Sequence, residues 1–255
     1  MLAPFVIFLT SALLYVTLGV PAAGGGFDTP GDSAARPDDS STTDSAPTAS
    51  PHDPSADAAP TPSAETTSPP TSAQSARAKL NTITTAHSAA TGYLRAAFGA
   101  GWGDTDRNGC DARNDVLARD LTEVVFRANT NDCVVHSGVL NDPYTGTVIR
   151  FVRGNETSQL VQIDHVVPLA WAWRYGAANW SHEQRVIFHN DQANLLAVDG
   201  TSNMEKSDAG PGDWMPPNAA AHCGYAETFV TIVHAYALSI PDHDRRVLEV
   251  TLDRC

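Results

Sequence analysis

The chain has 255 residues, a formal net charge of −13 and an apolar fraction of 42%. That balance excludes a tight nonspecific nucleic-acid-binding module, because neutralising phosphates takes clustered Lys and Arg. It leaves room for an enzyme that holds its substrate transiently and sets a divalent cation against a negative group.

Composition divides the chain unequally. Residues 1–20 are apolar and contain no Lys, Arg, Asp or Glu, and Val20-Pro21-Ala22 supplies small residues for cleavage, so 1–23 reads as a signal peptide. No positive charge precedes the apolar run, which keeps an uncleaved N-terminal anchor as the alternative. Residues 24–78 hold nine of the 17 prolines, many Ser, Thr, Ala and Asp, and no aromatic residue after Phe27. Such a segment buries too little apolar surface to offset its ordering entropy. It is expected to be a disordered linker that tethers the rest to a membrane or cell wall, with a propeptide as the alternative. The charge is not confined there: residues 1–78 carry eight acids against two bases, and 79–255 carry 21 against 14.

Residues 79–255 are enough for one well-buried domain. A helix is expected over 79–98, with Leu80, Ile83, Ala90 and Leu94 at helical spacings and Gly99 as its stop. A Gly- and Asp-rich loop at 99–109 and a short helix at 114–121 follow. Strand-like runs at 122–127, 133–140 and 147–152 come next, the last two joined by the turn Asn141-Asp142-Pro143-Tyr144-Thr145-Gly146. A further strand at 160–166 is stopped by Pro168, and helices are expected at 169–177 and 181–189, the second opened by a Ser181/Gln184 capping box. A strand at 193–198 and the first turn of a helix at 202–206 precede two closing helices. Tyr225, Phe229, Ile232 and Tyr236 form the apolar stripe of one; Leu248, Leu252 and Cys255 share a face of the other.

Four cysteines, at 110, 133, 223 and 255, behind a signal-like segment read as two disulfides. Of the three possible pairings, sequence proximity favours Cys110–Cys133 and Cys223–Cys255, each closing a loop that contributes ~3 kcal/mol. A four-cysteine zinc site is the rival, without a C-x-x-C pair to support it.

Three polar runs carry the chemistry: Ile163-Asp164-His165, then Asn190-Asp191-Gln192-Ala193-Asn194-Leu195-Leu196, then Asn203-Met204-Glu205-Lys206. Together they resemble the ββα-metal motif of the HNH endonucleases. With Trp102-Gly103-Asp104, Asn108 to Asn114, Leu140 to Gly146 and Asp213-Trp214-Met215-Pro216-Pro217, the wider resemblance is to secreted HNH proteins related to the GmrSD C-terminal domain. The resemblance implies an α+β fold with the ββα-metal (HNH) motif embedded in a disulfide-stapled helical and mixed domain. It implies that His165 is the general base, Asp164 and Asn203 the metal ligands, Asn194 the residue that holds the β segments and orients His165, and Lys206 a phosphate contact.

The residue types suit that task. Phosphodiester hydrolysis needs a water deprotonated near neutral pH, which a histidine does well, and a cation to stabilise charge on phosphorus-bound oxygens. Hard oxygen ligands such as Asp and Asn select Mg²⁺ or Mn²⁺. His189, Asp191 and Asp208 are further candidate ligands that spacing does not rank. Arg113, in Asp111-Ala112-Arg113-Asn114, is a candidate clamp on a nonbridging phosphate oxygen, against a salt bridge to a nearby acid. Asp104, Asp106 and Asn108 open a D-x-D-x-N-G pattern with Asp115 at the twelfth place, a candidate structural Ca²⁺ loop whose alternative is a plain Asp/Gly turn. Trp171, Trp173 and Trp180 are either base-stacking platforms or, for at least two of them, core.

The expectation is therefore a secreted or surface-anchored, monomeric HNH nuclease acting on DNA and, as a second substrate, RNA, with a divalent cation and no small-molecule cofactor. Low basicity points to little sequence specificity. The alternative is a non-catalytic, disulfide-stapled surface or partner-binding domain on the same scaffold. A different metal hydrolase is a third reading, and it lacks H-E-x-x-H and G-x-S-x-G.

Overall fold

The computed structural model describes residues 69–255 apart from residue 156. The expected signal or anchor and the linker up to residue 68 lie outside the described residues.

The first helix, α1 (Ser72–Thr82), begins seven residues before the expected one. Thr71 and Gln74 close a capping box, with Gln74 N donating to Thr71 Oγ1 (3.2 Å) and Thr71 N to Gln74 Oε1 (2.9 Å). The expected continuation to residue 98 does not form. The β-branched run Thr82-Ile83-Thr84-Thr85 disfavours helix, and the chain instead runs extended, with Thr85 bridging Ile240. Helical geometry returns only in a 3₁₀ turn, Arg95–Phe98, anchored by fully buried Phe98.

After the loop, α2 (Ala112–Asp120) is capped by Asp111, whose side chain accepts from Asn114 N at 2.9 Å. Strands β1 (Leu121–Phe126), β2 (Val135–Asn141) and β3 (Val148–Val152) form an antiparallel sheet in that order. The β2–β3 turn is held by Asp142, whose Oδ2 accepts from Thr145 N (2.7 Å) and whose Oδ1 accepts from Asp199 N (2.8 Å). The second sheet pairs β4 (Val161–His165) antiparallel with β5 (Leu195–Asp199), setting Asp164 opposite Leu196 and His165 opposite Leu195.

Between β4 and β5 lie α3 (Leu169–Arg174), shorter than expected, and α4 (His182–Asn190), opened by Ser181 accepting from Gln184 N at 3.1 Å. Helix α5 (Gly200–Lys206) follows β5 directly. Its first residue must be glycine: a Cβ there would stand 2.0 Å from Gln159 O. Helices α6 (His222–Ala235) and α7 (Asp242–Leu252) close the chain. The fold is α+β, and both disulfides pair as proximity suggested: Cys110–Cys133 ties the loop before α2 to the segment entering β2, and Cys223–Cys255 ties α6 to the chain end.

Two apolar cores fill the domain. One gathers Leu80, Phe98, Trp171, Phe188, Phe229 and Ile240 from the helices; the other sets Val116 and Leu117 of α2 against Leu140, Phe151, Ile163 and Leu195 of the sheets. Each such side chain contributes about 1.5–3 kcal/mol on burial. Trp171, Trp173 and Trp180 all pack in or against the helical core. Trp171 also donates to buried Asp244 at 2.8 Å, and Trp173 donates to Thr91 O at 2.9 Å, so these tryptophans serve as core.

Candidate active site

The site is built where α5 crosses β4. Alternation along β4 places Val161 and Ile163 toward the α2 core and Gln162 and Asp164 toward α5. Asn203 and Lys206 lie three residues apart on α5, hence on one helix face. The two pairs meet rung by rung: Asn203 Nδ2 donates to Gln162 Oε1 at 2.9 Å, and Lys206 Nζ donates to Asp164 Oδ1 at 2.9 Å.

Asp164 is 5% exposed and Lys206 not at all. Lys206 Nζ also donates to His165 O at 2.8 Å, and Tyr144 Oη donates to Asp164 Oδ2 at 2.5 Å. Burial pushes the Asp164 carboxyl up and the Lys206 ammonium down, and each is held against that shift by the other's charge. Burial also raises the Tyr144 phenol, so it stays protonated and acts as a donor. Lys206, which the resemblance set toward substrate phosphate, thus has its ammonium spent on Asp164 and on the β4 backbone.

His165, at the end of β4, is 7% exposed, and its Nε2 lies 2.8 Å from His189 O. A carbonyl only accepts, so Nε2 carries the hydrogen and Nδ1 carries the lone pair. Trp102 stacks against both imidazoles, with ring centroids 5.7 Å from His165 and 5.0 Å from His189, at interplanar angles of 13° and 18°. Burial and the neighbouring His189 push the His165 imidazole down to about 3. His189 is held down to about 4 by burial and by the Arg95 charge. His165 is therefore neutral across the physiological range, with Nδ1 unprotonated.

Asn194 brackets Val167: Val167 N donates to Asn194 Oδ1 (2.8 Å), Asn194 Nδ2 donates to Val167 O (3.1 Å), and Val166 N donates to Asn194 O (2.8 Å). It holds the segment leaving β4 against the start of β5, and so positions His165 through the backbone.

Asp164, His165 and Asn203 line one pocket of about 450 Å³ with Gln162, Tyr93, Arg95 and Asp208. Arg113 is not among its lining residues; it lies near Arg153 and Asp111 on α2. Asp208 reaches the pocket already paired with Arg174, at 2.5 Å. Asp191 accepts from Tyr236 Oη at 2.8 Å instead.

The donor set fits a hard cation at this pocket. Asp164 has a carboxylate whose two oxygens already accept from Lys206 and Tyr144, so a cation would use their remaining lone pairs. Asn203, having given an amide hydrogen to Gln162, keeps Oδ1 as an acceptor. Two protein oxygens suit Mg²⁺ or Mn²⁺, since Mg²⁺ retains several of its waters. Among the described residues, no group of three or more His, Cys, Asp or Glu side chains stands together to hold a metal ion. In the D-x-D-x-N-G loop the carboxylates are bound to amides: Asn108 N donates to Asp104 Oδ1 (3.1 Å), Gly109 N to Asp104 Oδ2 (2.9 Å), and Gln192 Nε2 to Asp106 Oδ2 and Asp115 Oδ2 (3.2 Å each).

Tyr144, Trp102, Gln162 and Arg95 are the site residues that the reading of the sequence left without a role. Gln162 was legible, two residues before Asp164 on one strand face. Arg95 carried no signal, because nothing in the chain order links it to β4.

The chain belongs to the family of GmrSD restriction endonuclease C-terminal domains, which matches residues 111–245. A protein of Arthroderma benhamiae described as an uncharacterized secreted protein is 36% identical over 148 residues, covering 57% of this chain and 68% of the relative. No solved structure matches the chain.

Proposed function

We propose that the domain hydrolyses phosphodiester bonds of nucleic acid, DNA and secondarily RNA, as a divalent-cation-dependent HNH nuclease. The observation that carries this is the His165 Nε2 to His189 O hydrogen bond, which assigns the lone pair to Nδ1 on a residue that lines the pocket of Asp164 and Asn203. The chain order β4, β5, α5, with the polar residues on β4 and α5, supports the ββα-metal reading.

His165 Nδ1 takes the proton of the attacking water as the new P–O bond forms and the bond to the 3′-oxygen breaks, the leaving oxygen taking a proton from solvent. The step requires the negative charge of the bound phosphodiester to raise the imidazole from about 3. His189 O fixes the tautomer, Trp102 restricts the ring to one plane, and Asn194 holds the backbone that carries it. Lys206 and Tyr144 orient the Asp164 carboxylate. Asp164 and Asn203 would hold Mg²⁺ or Mn²⁺, which supplies compensation for the negative charge that develops on the phosphoryl oxygens. Two disulfides and the secreted relative support work outside the cell.

The test uses the oxidised full chain on supercoiled plasmid and on single-stranded DNA with Mg²⁺, Mn²⁺ or EDTA, beside His165→Ala. Cleavage that needs the cation and that the variant loses is the expected result. A folded chain that cleaves nothing with either cation would sink the nuclease reading and favour a partner-binding domain.

A further inference from the structure

We infer that Arg95 binds a nonbridging oxygen of the substrate phosphodiester, an inference that rests on the nuclease reading above. Arg95 lies outside the residues that match the family, and the rest of the pocket is drawn largely from the matched region.

The argument starts from charge. Three charged side chains line the pocket: Asp164, Asp208 and Arg95. Asp164 has its counter-ion in buried Lys206, and Asp208 has its own in Arg174, at 2.9 and 2.5 Å. Arg95 is exposed and, among the described residues, forms no ion pair of its own. The pocket and its immediate partners are left with one uncompensated positive charge in a chain of net charge −13. A phosphodiester carries one negative charge.

Placement supports the same role. Arg95 opens the Arg95–Phe98 turn, whose Phe98 ring packs 6.1 Å from Tyr93 and 6.3 Å from both Trp173 and Phe188. That anchor holds the arginine's backbone at the pocket rim while its side chain stays in solvent. Arg95 lines the same pocket as His165, Asp164 and Asn203. A guanidinium at the rim gives two parallel N–H donors to one phosphate, which a lysine does not reproduce.

The test measures binding apart from turnover. The full chain carrying His165→Ala is titrated against a fluorescein-labelled single-stranded oligonucleotide by anisotropy, over a series of KCl concentrations, with and without Arg95→Met. The second substitution should weaken binding about 10- to 100-fold and lower the slope of log Kd against log salt by about one. In the otherwise wild-type chain, Arg95→Met should lower kcat/KM by a similar factor, with Arg95→Lys intermediate and the melting temperature unchanged. An unaltered salt slope, or a slope lost in Arg113→Met but kept in Arg95→Met, overturns the assignment. Cleavage that survives Arg95→Met at full kcat/KM rejects Arg95 and keeps the nuclease. Salt-dependent binding lost with Arg95, in a chain that cleaves nothing with any cation, rejects the nuclease and keeps the phosphate site.

Discussion

Lys206 Nζ sits 2.9 Å from Asp164 with no exposure to solvent, so the lysine that ends α5 neutralises the carboxylate of β4 inside the domain. Removing one member of such a pair leaves an uncompensated buried charge. Lys206→Met is expected to cost about 3–5 kcal/mol, a fall in Tm on the order of 10 °C for a domain of this size. The double variant Lys206→Met/Asp164→Asn should recover part of it. Burial raises the Asp164 pKa, so its carboxyl takes up a proton as pH falls, and the single variant's deficit should shrink at low pH. Equal melting of Lys206→Met and wild type at neutral pH would refute the pairing.

Tyr144 reaches Asp164 from the β2–β3 turn, and its hydroxyl is the second donor to that carboxylate. Tyr144→Phe removes a hydrogen bond to a charged group, worth about 1.5–3 kcal/mol in chemical denaturation. The same change loosens the carboxylate that is proposed to hold the cation. The concentration of Mg²⁺ needed for half-maximal cleavage should rise about 10- to 100-fold. An unshifted Mg²⁺ titration would separate Tyr144 from the cation site.

Trp102 packs on both imidazoles and so restricts the plane of the His165 ring. Trp102→Ala should lower kcat by up to about 100-fold through a misplaced base, while binding of an uncleaved oligonucleotide stays near wild type. Trp102→Phe, which keeps an aromatic face, should retain most activity. A loss that falls on binding and spares kcat would assign Trp102 to substrate contact instead.

The two disulfides close loops of 23 and 32 residues, each worth about 3–4 kcal/mol through the unfolded state. Cys110→Ser/Cys133→Ser and Cys223→Ser/Cys255→Ser should each lower the melting temperature, and full reduction should lower it further. Coincident melting of reduced and oxidised protein would contradict this.

What the sequence determined by itself was local and periodic. Apolar spacing located the strands to within a few residues and set Tyr225, Phe229 and Ile232 on one closing helix and Leu248 and Leu252 on the other, with Tyr236 and Cys255 falling just past the helix ends. Ser181 marked its helix start, and cysteine proximity gave both pairings. The order of Asp164, His165, Asn194, Asn203 and Lys206 was enough to name the family, and Asp164, His165 and Asn203 do share one pocket. One local signal failed: mixed apolar spacing after Lys79 outweighed the β-branched run at Thr82–Thr85, and the chain there is extended.

Only the tertiary structure decided what each polar side chain faces. Lys206 turned inward because strand period two and helix spacing of three bring it onto Asp164 once α5 crosses β4. Trp102, Tyr144 and Arg95 lie 63, 20 and 69 positions before His165, Asp164 and Asp164 in the chain, and they reach the site from separate loops and turns. Contacts between such segments depend on how the two cores pack, which no local pattern encodes.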